Sequence, residues 1–223
     1  MKILVLGDST TFGAELSDLP VKYFGAHGND YVDSNGKHKF SLPSNLAWPA
    51  LLANQLNCEV VNLSIVGGSN DRIFRLAIEH TLLAHWDLVI CAWTTLDRFD
   101  LTDGNRDLAI TANYHWGFNW VKDYIALHWD RTRSDINFVT KLMALQGYFA
   151  QRKQSYLFVK SANIKLCNQA RKLESHLDRT NCVDWDSNFY VWTKDYSKGS
   201  DGHILEQGHA IVAEIMQRHV QKL

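Results

Sequence analysis

Two short segments near opposite ends of the chain carry residue types suited to nucleophilic chemistry. Gly7-Asp8-Ser9 follows directly on the apolar run Ile3-Leu4-Val5-Leu6. A serine acts as a nucleophile when a tight turn presents its hydroxyl above a strand end, and glycine permits such a turn. The same tripeptide also fits a capping turn in which Ser9 satisfies backbone donors. The second segment is Asp201-Gly202-His203, followed by Gly208-His209. A serine hydroxyl is a poor nucleophile until an imidazole takes its proton, and that imidazole needs an acceptor at its other nitrogen. A lone histidine among ten is more often structural, but His203 stands beside a carboxylate and ahead of the last helix. The expectation is Ser9 as nucleophile, His203 as base and Asp201 as its partner.

For these residues to meet, the elements between them must bring the chain ends together. Residues 3–6, 60–66, 88–93 and 156–159 are short apolar runs of the kind that form buried parallel strands. Residues 48–56, with Pro49 in the first turn, read as a helix, as do a stretch opened by Asp71, residues 136–151, 164–177 and 205–220. Strands alternating with helices imply an α/β fold, three-layer α/β/α with a central, mainly parallel sheet. Ligands in that architecture sit beyond the carboxyl ends of the strands, where Ser9, Gly67 and Thr94 all fall. We read a single domain, 1–223, with irregular insertions near 13–45 and 100–133. The stretch 103–129, with Trp116, Trp120, His115 and His128, reads as a partly helical insertion.

Taken together, these blocks resemble the SGNH, or GDSL, hydrolase superfamily of esterases, lipases, thioesterases and carbohydrate deacetylases, whose fold is flavodoxin-like. Gly7-Asp8-Ser9 resembles its first block, Trp48-Pro49-Ala50-Leu51-Leu52 the helix that often follows, and Asn62 with Gly67 its second block. Asp87-Leu88-Val89-Ile90 resembles the strand leading to the third block, and Asp201, His203, Gly208 and His209 the last. The resemblance implies the same roles for Ser9, His203 and Asp201, and an oxyanion hole including the amides of Ser9 and Gly67.

Two departures stand out. The family's Gly-x-Asn-Asp after the third strand is replaced by Trp93-Thr94-Thr95-Leu96-Asp97. Asn70, in Gly68-Ser69-Asn70-Asp71, is a candidate replacement donor to the oxyanion, or equally part of a helix cap. Thr94 is a weaker substitute. The aspartate usually three before the histidine is replaced by Ser200, with Asp201 two before. A main-chain carbonyl orienting His203 would instead leave a Ser-His dyad. Asp8, Thr94 and Arg98 are candidate substrate-binding residues, and Arg72, Arg75 and Arg98 are suited to an acidic substrate group or to a solvated surface. Trp116, Trp120, Trp129, Trp185 and Trp192 fit either a lid packed over the core or a sugar-stacking platform.

The balance of 23 basic and 24 acidic residues, without long runs of either sign, shows no footprint for nucleic acid or an anionic membrane. The four cysteines form no Cys-x-x-Cys pair, so no metal site is indicated and buried free thiols are expected. Lys2 leads straight into the first apolar run, which is too short for a signal-peptide core, and a cytoplasmic protein is expected. The reading is a serine esterase working through an acyl-enzyme, with no cofactor, on a small-molecule or carbohydrate ester, an O-acetyl group first. The alternatives are a catalytically decayed carbohydrate- or protein-binding module, and an acyltransferase on the same fold.

Overall fold

In chain order the elements are β1 (Lys2–Leu6), α1 (Ser9–Phe12), β2 (Asp30–Val32), β3 (His38–Phe40), α2 (Trp48–Leu56), β4 (Glu59–Asn62), α3 (Asn70–Leu83), β5 (Leu88–Trp93), β6 (Arg98–Thr102), β7 (Asp107–Thr111), α4 (Arg131–Arg152), β8 (Tyr156–Lys160), α5 (Asn168–Glu174), α6 (Phe189–Trp192) and α7 (Glu206–Val220). They come from a computed structural model that describes residues 1–19, 30–32, 38–102, 107–111, 123, 125–127 and 129–223, giving only the backbone of 30–32, 38–40, 101–102 and 107–111. Trp116, Trp120, His115 and His128 lie outside the described residues.

The apolar runs pair as one parallel sheet in the order β4-β1-β5-β8, with Val5 opposite both Asn62 and Ile90, and Ile90 opposite Leu157. Successive side chains of a strand point to opposite faces, so each run supplies two cores. Leu4, Leu6, Val89, Cys91, Trp93 and Phe158 pack with Ile73, Leu76 and Ala77 of α3 and Phe138, Leu142 and Phe149 of α4. Ile3, Val5, Ile90, Leu157 and Val159 pack on the other face with Trp48 and Leu52 of α2 and Val212 and Met216 of α7. The result is the three-layer α/β/α arrangement expected from the alternation of elements.

The boundaries shift where side chains intervene. The second apolar run ends as strand at Asn62, not Val66, because the Asn62 side chain takes the Ser64 N–H (3.0 Å) and donates to Thr11 O (2.9 Å), turning the backbone off the ladder. α4 starts five residues before the apolar period does, capped by Asp130, whose carboxylate accepts from Arg133 N (2.6 Å). The helix expected over 164–177 is confined to 168–174. Arg131 donates to Lys165 O (2.7 Å) and Asp135 accepts from Cys167 N (2.6 Å), and both bonds hold the preceding residues outside the helix. Within the insertions, β2–β3 and β6–β7 are antiparallel pairs that no periodicity marks. Among the described residues no helix is long and apolar enough to cross a membrane.

Candidate active site

The turn that ends β1 is built around three side-chain facts. Gly7 has no room for a side chain, since a Cβ there would lie 2.6 Å from Thr11 Cβ. Asp8 caps α1, accepting from Thr10 N (3.1 Å) and Thr11 N (3.5 Å) through Oδ1. Its Oδ2 accepts from Thr94 Oγ1 (2.6 Å), Ser161 Oγ (3.2 Å) and Arg98 Nη1 (3.4 Å), which ties the carboxyl ends of β1, β5 and β8 to one carboxylate. Ser9 follows as the first helical residue, and no acceptor among the described residues takes its N–H. Because Thr11 is buried and β-branched, it yields little. Gly7→Ala is expected to destabilise the fold by ~1–3 kcal/mol through overpacking, read as a lower midpoint in urea unfolding.

The far end of the chain returns to this turn. His203 Nε2 lies 2.9 Å from Ser9 Oγ, across a sequence separation of 194. At its other nitrogen the structure departs from expectation: His203 Nδ1 lies 2.9 Å from Oε2 of Glu15, not from Asp201. Asp201 is exposed and reaches the site through its main chain, its N–H donating to Glu15 Oε1 (3.0 Å). Ser200, in the place where the resembling family carries its aspartate, donates its hydroxyl to the same oxygen (2.8 Å), and the His203 N–H donates to Oε2 (3.2 Å). Among the described residues no main-chain carbonyl holds the imidazole.

The local sequence explains how Glu15 gets there. Gly13 ends α1 in the left-handed region (φ 90°), and Glu15 itself adopts φ 67°, uncommon for a residue with a side chain and a form of strain that clusters at functional sites. On the opposing side, Gly202 (φ 84°) and the bonds Gly199 N to His203 O and Gly202 N to Gly199 O curl residues 199–203 around the carboxylate. A Cβ at Gly199 would lie 2.5 Å from Glu15 Cδ, so the carboxyl group fills the space where a side chain would otherwise stand. Burial raises the Glu15 pKa, but the hydrogen bonds from Asp201 N, Ser200, the His203 ring and His203 N outweigh it and hold it down at about 2. An ionised carboxylate only accepts, so Nδ1 carries the proton and Nε2 is left to accept from Ser9.

The remaining expected residues divide. The stretch after β4 lies against the Ser9 turn: a Cβ at Gly68 would come 2.9 Å from Gly7 O, and Gly67 beside it has φ 77° and an N–H that no described residue accepts. Asn70 is not a free donor. Its Nδ2 gives both protons to Thr94 O (3.0 Å) and Thr95 O (3.3 Å), while its Oδ1 accepts from Thr94 N (2.9 Å), a pattern that also fixes which way the amide faces. The helix cap is Ser69, whose hydroxyl accepts from Arg72 N (3.1 Å). Asp8 and Thr94 are buried and bonded to each other, and together they hold the turn. Arg98 is partly exposed and touches both Asp8 and Gly68 O through Nη1.

Other groups are structural. Burial pushes the His209 pKa down to about 3, and its neutral ring accepts the Trp48 N–H (3.0 Å), pinning α7 to α2. Trp185 donates to Glu174 (2.8 Å) under Lys160, and Trp192 packs on Phe189, so neither belongs to a platform. Arg75 pairs with Glu79. Burial raises the Cys91 thiol pKa. Sequence reasoning missed Glu15, and the available signal was its place: a carboxylate six residues after Ser9, just past the glycine that ends α1.

Among solved structures the chain is similar to the psychrotrophic esterase EstA from Pseudoalteromonas sp., at 13% identity and a TM-score of 0.53, covering 99% of this chain and 97% of that one. It is similar to the acetyl xylan esterase AlAXEase at 15% identity and a TM-score of 0.53, covering 99% and 100%. The acetyl xylan esterase Est2A from Butyrivibrio proteoclasticus matches at 14% identity and a TM-score of 0.52, covering 99% of this chain and 63% of that one. These likenesses show that the chain has the α/β fold of SGNH hydrolase structures. No curated protein matches it. The profile of one sequence family covers residues 29–219, beginning after Ser9 and Glu15, and by that match the chain belongs to the Family of unknown function (DUF6071).

Proposed function

We propose that the chain is a serine esterase in which Ser9, His203 and Glu15 form the catalytic triad. The observation that carries this is the continuous relay from Ser9 Oγ to His203 to an ionised Glu15, with both links at 2.9 Å. Ser9 Oγ bonds to the ester carbonyl carbon as its proton passes to His203 Nε2. The tetrahedral intermediate then expels the alcohol oxygen, which takes that proton. Water deprotonated by the same nitrogen attacks the acyl-Ser9, releasing a carboxylic acid and regenerating the hydroxyl. Glu15 holds Nδ1–H and stabilises the imidazolium.

The N–H groups of Ser9 and Gly67 are the oxyanion donors in this reading, since both are unspent and the turns that carry them touch. With Asn70 committed to the β5 terminus, one donor fewer is available than in the resembling family, at ~3 kcal/mol of transition-state stabilisation per donor. The substrate favoured is an O-acyl, first an O-acetyl, carbohydrate. The acetyl xylan esterases among the structures of like fold support that choice. The intact relay favours an enzyme over a decayed binding module.

A fluorophosphonate tests the class. It is expected to add one phosphonyl group to the parent protein, located on Ser9 by peptide mass, and to label His203→Ala far more slowly. Unmodified Ser9 under conditions that label a reference serine esterase would sink the assignment.

A further inference from the structure

Beside the nucleophile turn lies a cavity of about 270 Å³, bounded by the start of α3, by β6 and the residues leading to it, and by the first turns of α4. Its inner wall is Arg98, whose Nη1 reaches Asp8 Oδ2 (3.4 Å) and Gly68 O (3.5 Å), so one side chain separates it from the turn that carries Ser9. Its lining holds three cations and three carboxylates together with Phe99, Trp129 and Asn137.

The chemistry of this wall selects its occupant. Both hydrogen bonds of Arg98 to Asp8 and Gly68 leave from Nη1, and no acceptor among the described residues takes its Nε or Nη2. Arg133 and Asn137, exposed on α4, have side chains without a partner among the described residues, and the same holds for the buried indole N–H of Trp129. Lys141 is neutralised by Asp71 (2.6 Å), and Asp130 spends one oxygen on the α4 cap. An alkyl chain would strip water from these charged groups without replacing its hydrogen bonds. A second carboxylate or phosphate would meet the lining's own acids as well as its arginines. A ring bearing several hydroxyls both donates and accepts, and offers an apolar face to Trp129. The volume is just under the ~300 Å³ at which small-molecule pockets begin, which suits one ring and not a chain.

Resting on the esterase reading, we infer that this cavity binds the alcohol portion of the ester and that this portion is a single neutral pyranose ring. The test compares an O-acetylated methyl pyranoside with 4-nitrophenyl acetate on the full chain. The ratio of kcat/KM for the pyranoside to that for the aryl acetate is expected to fall about tenfold in Trp129→Ala and in the double variant Arg133→Ala/Asn137→Ala, mainly through KM. The double variant changes only exposed helix positions, so it reads the cavity even if Trp129→Ala does not fold. An unchanged ratio in both variants overturns the inference. So does a parent enzyme that prefers 4-nitrophenyl octanoate and loses that preference in these variants, since the cavity then takes the acyl chain. The two readings fail separately: saturable calorimetric binding of the acetylated pyranoside to Ser9→Ala, weakened in the same backgrounds, while the parent hydrolyses no ester, would retain the cavity and remove the esterase.

Discussion

Glu15→Gln is expected to lower kcat/KM for an aryl acetate by about 10³–10⁴-fold, the scale of loss when a triad's carboxylate is made a neutral amide, while Asp201→Asn stays close to the parent rate. The amide fails in either orientation. With its nitrogen toward His203 it meets two donors, the His203 N–H and Nδ1–H, and the imidazole must switch to the tautomer that cannot take the proton of Ser9. With its nitrogen toward the other side it meets the Asp201 N–H, which cannot turn away. Asp201 serves this carboxylate only through its main chain, which Asp201→Asn leaves intact. Steady-state kinetics on the two variants separates the assignments: a large loss in Asp201→Asn with little in Glu15→Gln would reverse them.

The same substitution has a signature in stability. Glu15 is held at about 2 in the folded chain against an ordinary value of 4.5. As pH falls through that window, the unfolded chain takes up a proton that the folded one refuses, so this contribution is complete above 4.5 and lost toward 2. Glu15→Gln is therefore expected to flatten the fall in urea midpoint between those values. An acid limb as steep as the parent's would mean that the carboxylate is not held as the structure shows.

Periodicity made the sheet legible. Runs such as residues 88–93 are buried along their whole length, and a short unbroken apolar run between turn residues has few other readings. The helices whose faces pack on it, α2, α3 and α7, carry the matching 3.6 period. What stayed hidden was decided by single polar side chains acting across the fold. Asn62 donating to Thr11 O, Asp135 holding Cys167 out of α5, and Glu15 reaching His203 are contacts between residues 51, 32 and 188 positions apart, and no local pattern marks them. The pairing of Ser9 with His203 could be foreseen because both stand at recognisable places, a strand end and the start of the last helix. The acid could not be placed in the same way. Sequence adjacency favoured Asp201, but Asp201 is exposed and meets the site through its N–H, which donates to Glu15 Oε1. Glu15 reaches the imidazole from the turn that follows α1. Asn70 shows the converse: a residue type suited to an oxyanion donor is bound on both sides by the backbone of β5's exit, where its amide holds the start of the loop leading to Arg98.

Ser9→Ala and His203→Ala are each expected to reduce kcat for an aryl acetate on the order of 10⁵–10⁶-fold, and the double variant no further than the worse of the two. The non-additivity follows from the mechanism. In the proposed mechanism every proton that His203 moves belongs to the formation or hydrolysis of acyl-Ser9, beginning with the one taken across the 2.9 Å between Nε2 and Oγ, so once either atom is gone the other has nothing left to do. A residual rate above that of water is expected in all three proteins, because the N–H groups of Ser9 and Gly67 belong to the main chain and survive both substitutions. Adding a third change that removes the β4-loop turn, Gly68→Ala, should lower this residue further, since a Cβ at that position would press on Gly7 O and displace one donor from the other. Rates that multiply in the Ser9→Ala/His203→Ala protein would show two independent contributions where the structure has one relay. A Ser9→Ala protein within tenfold of the parent would move the nucleophile elsewhere in the chain.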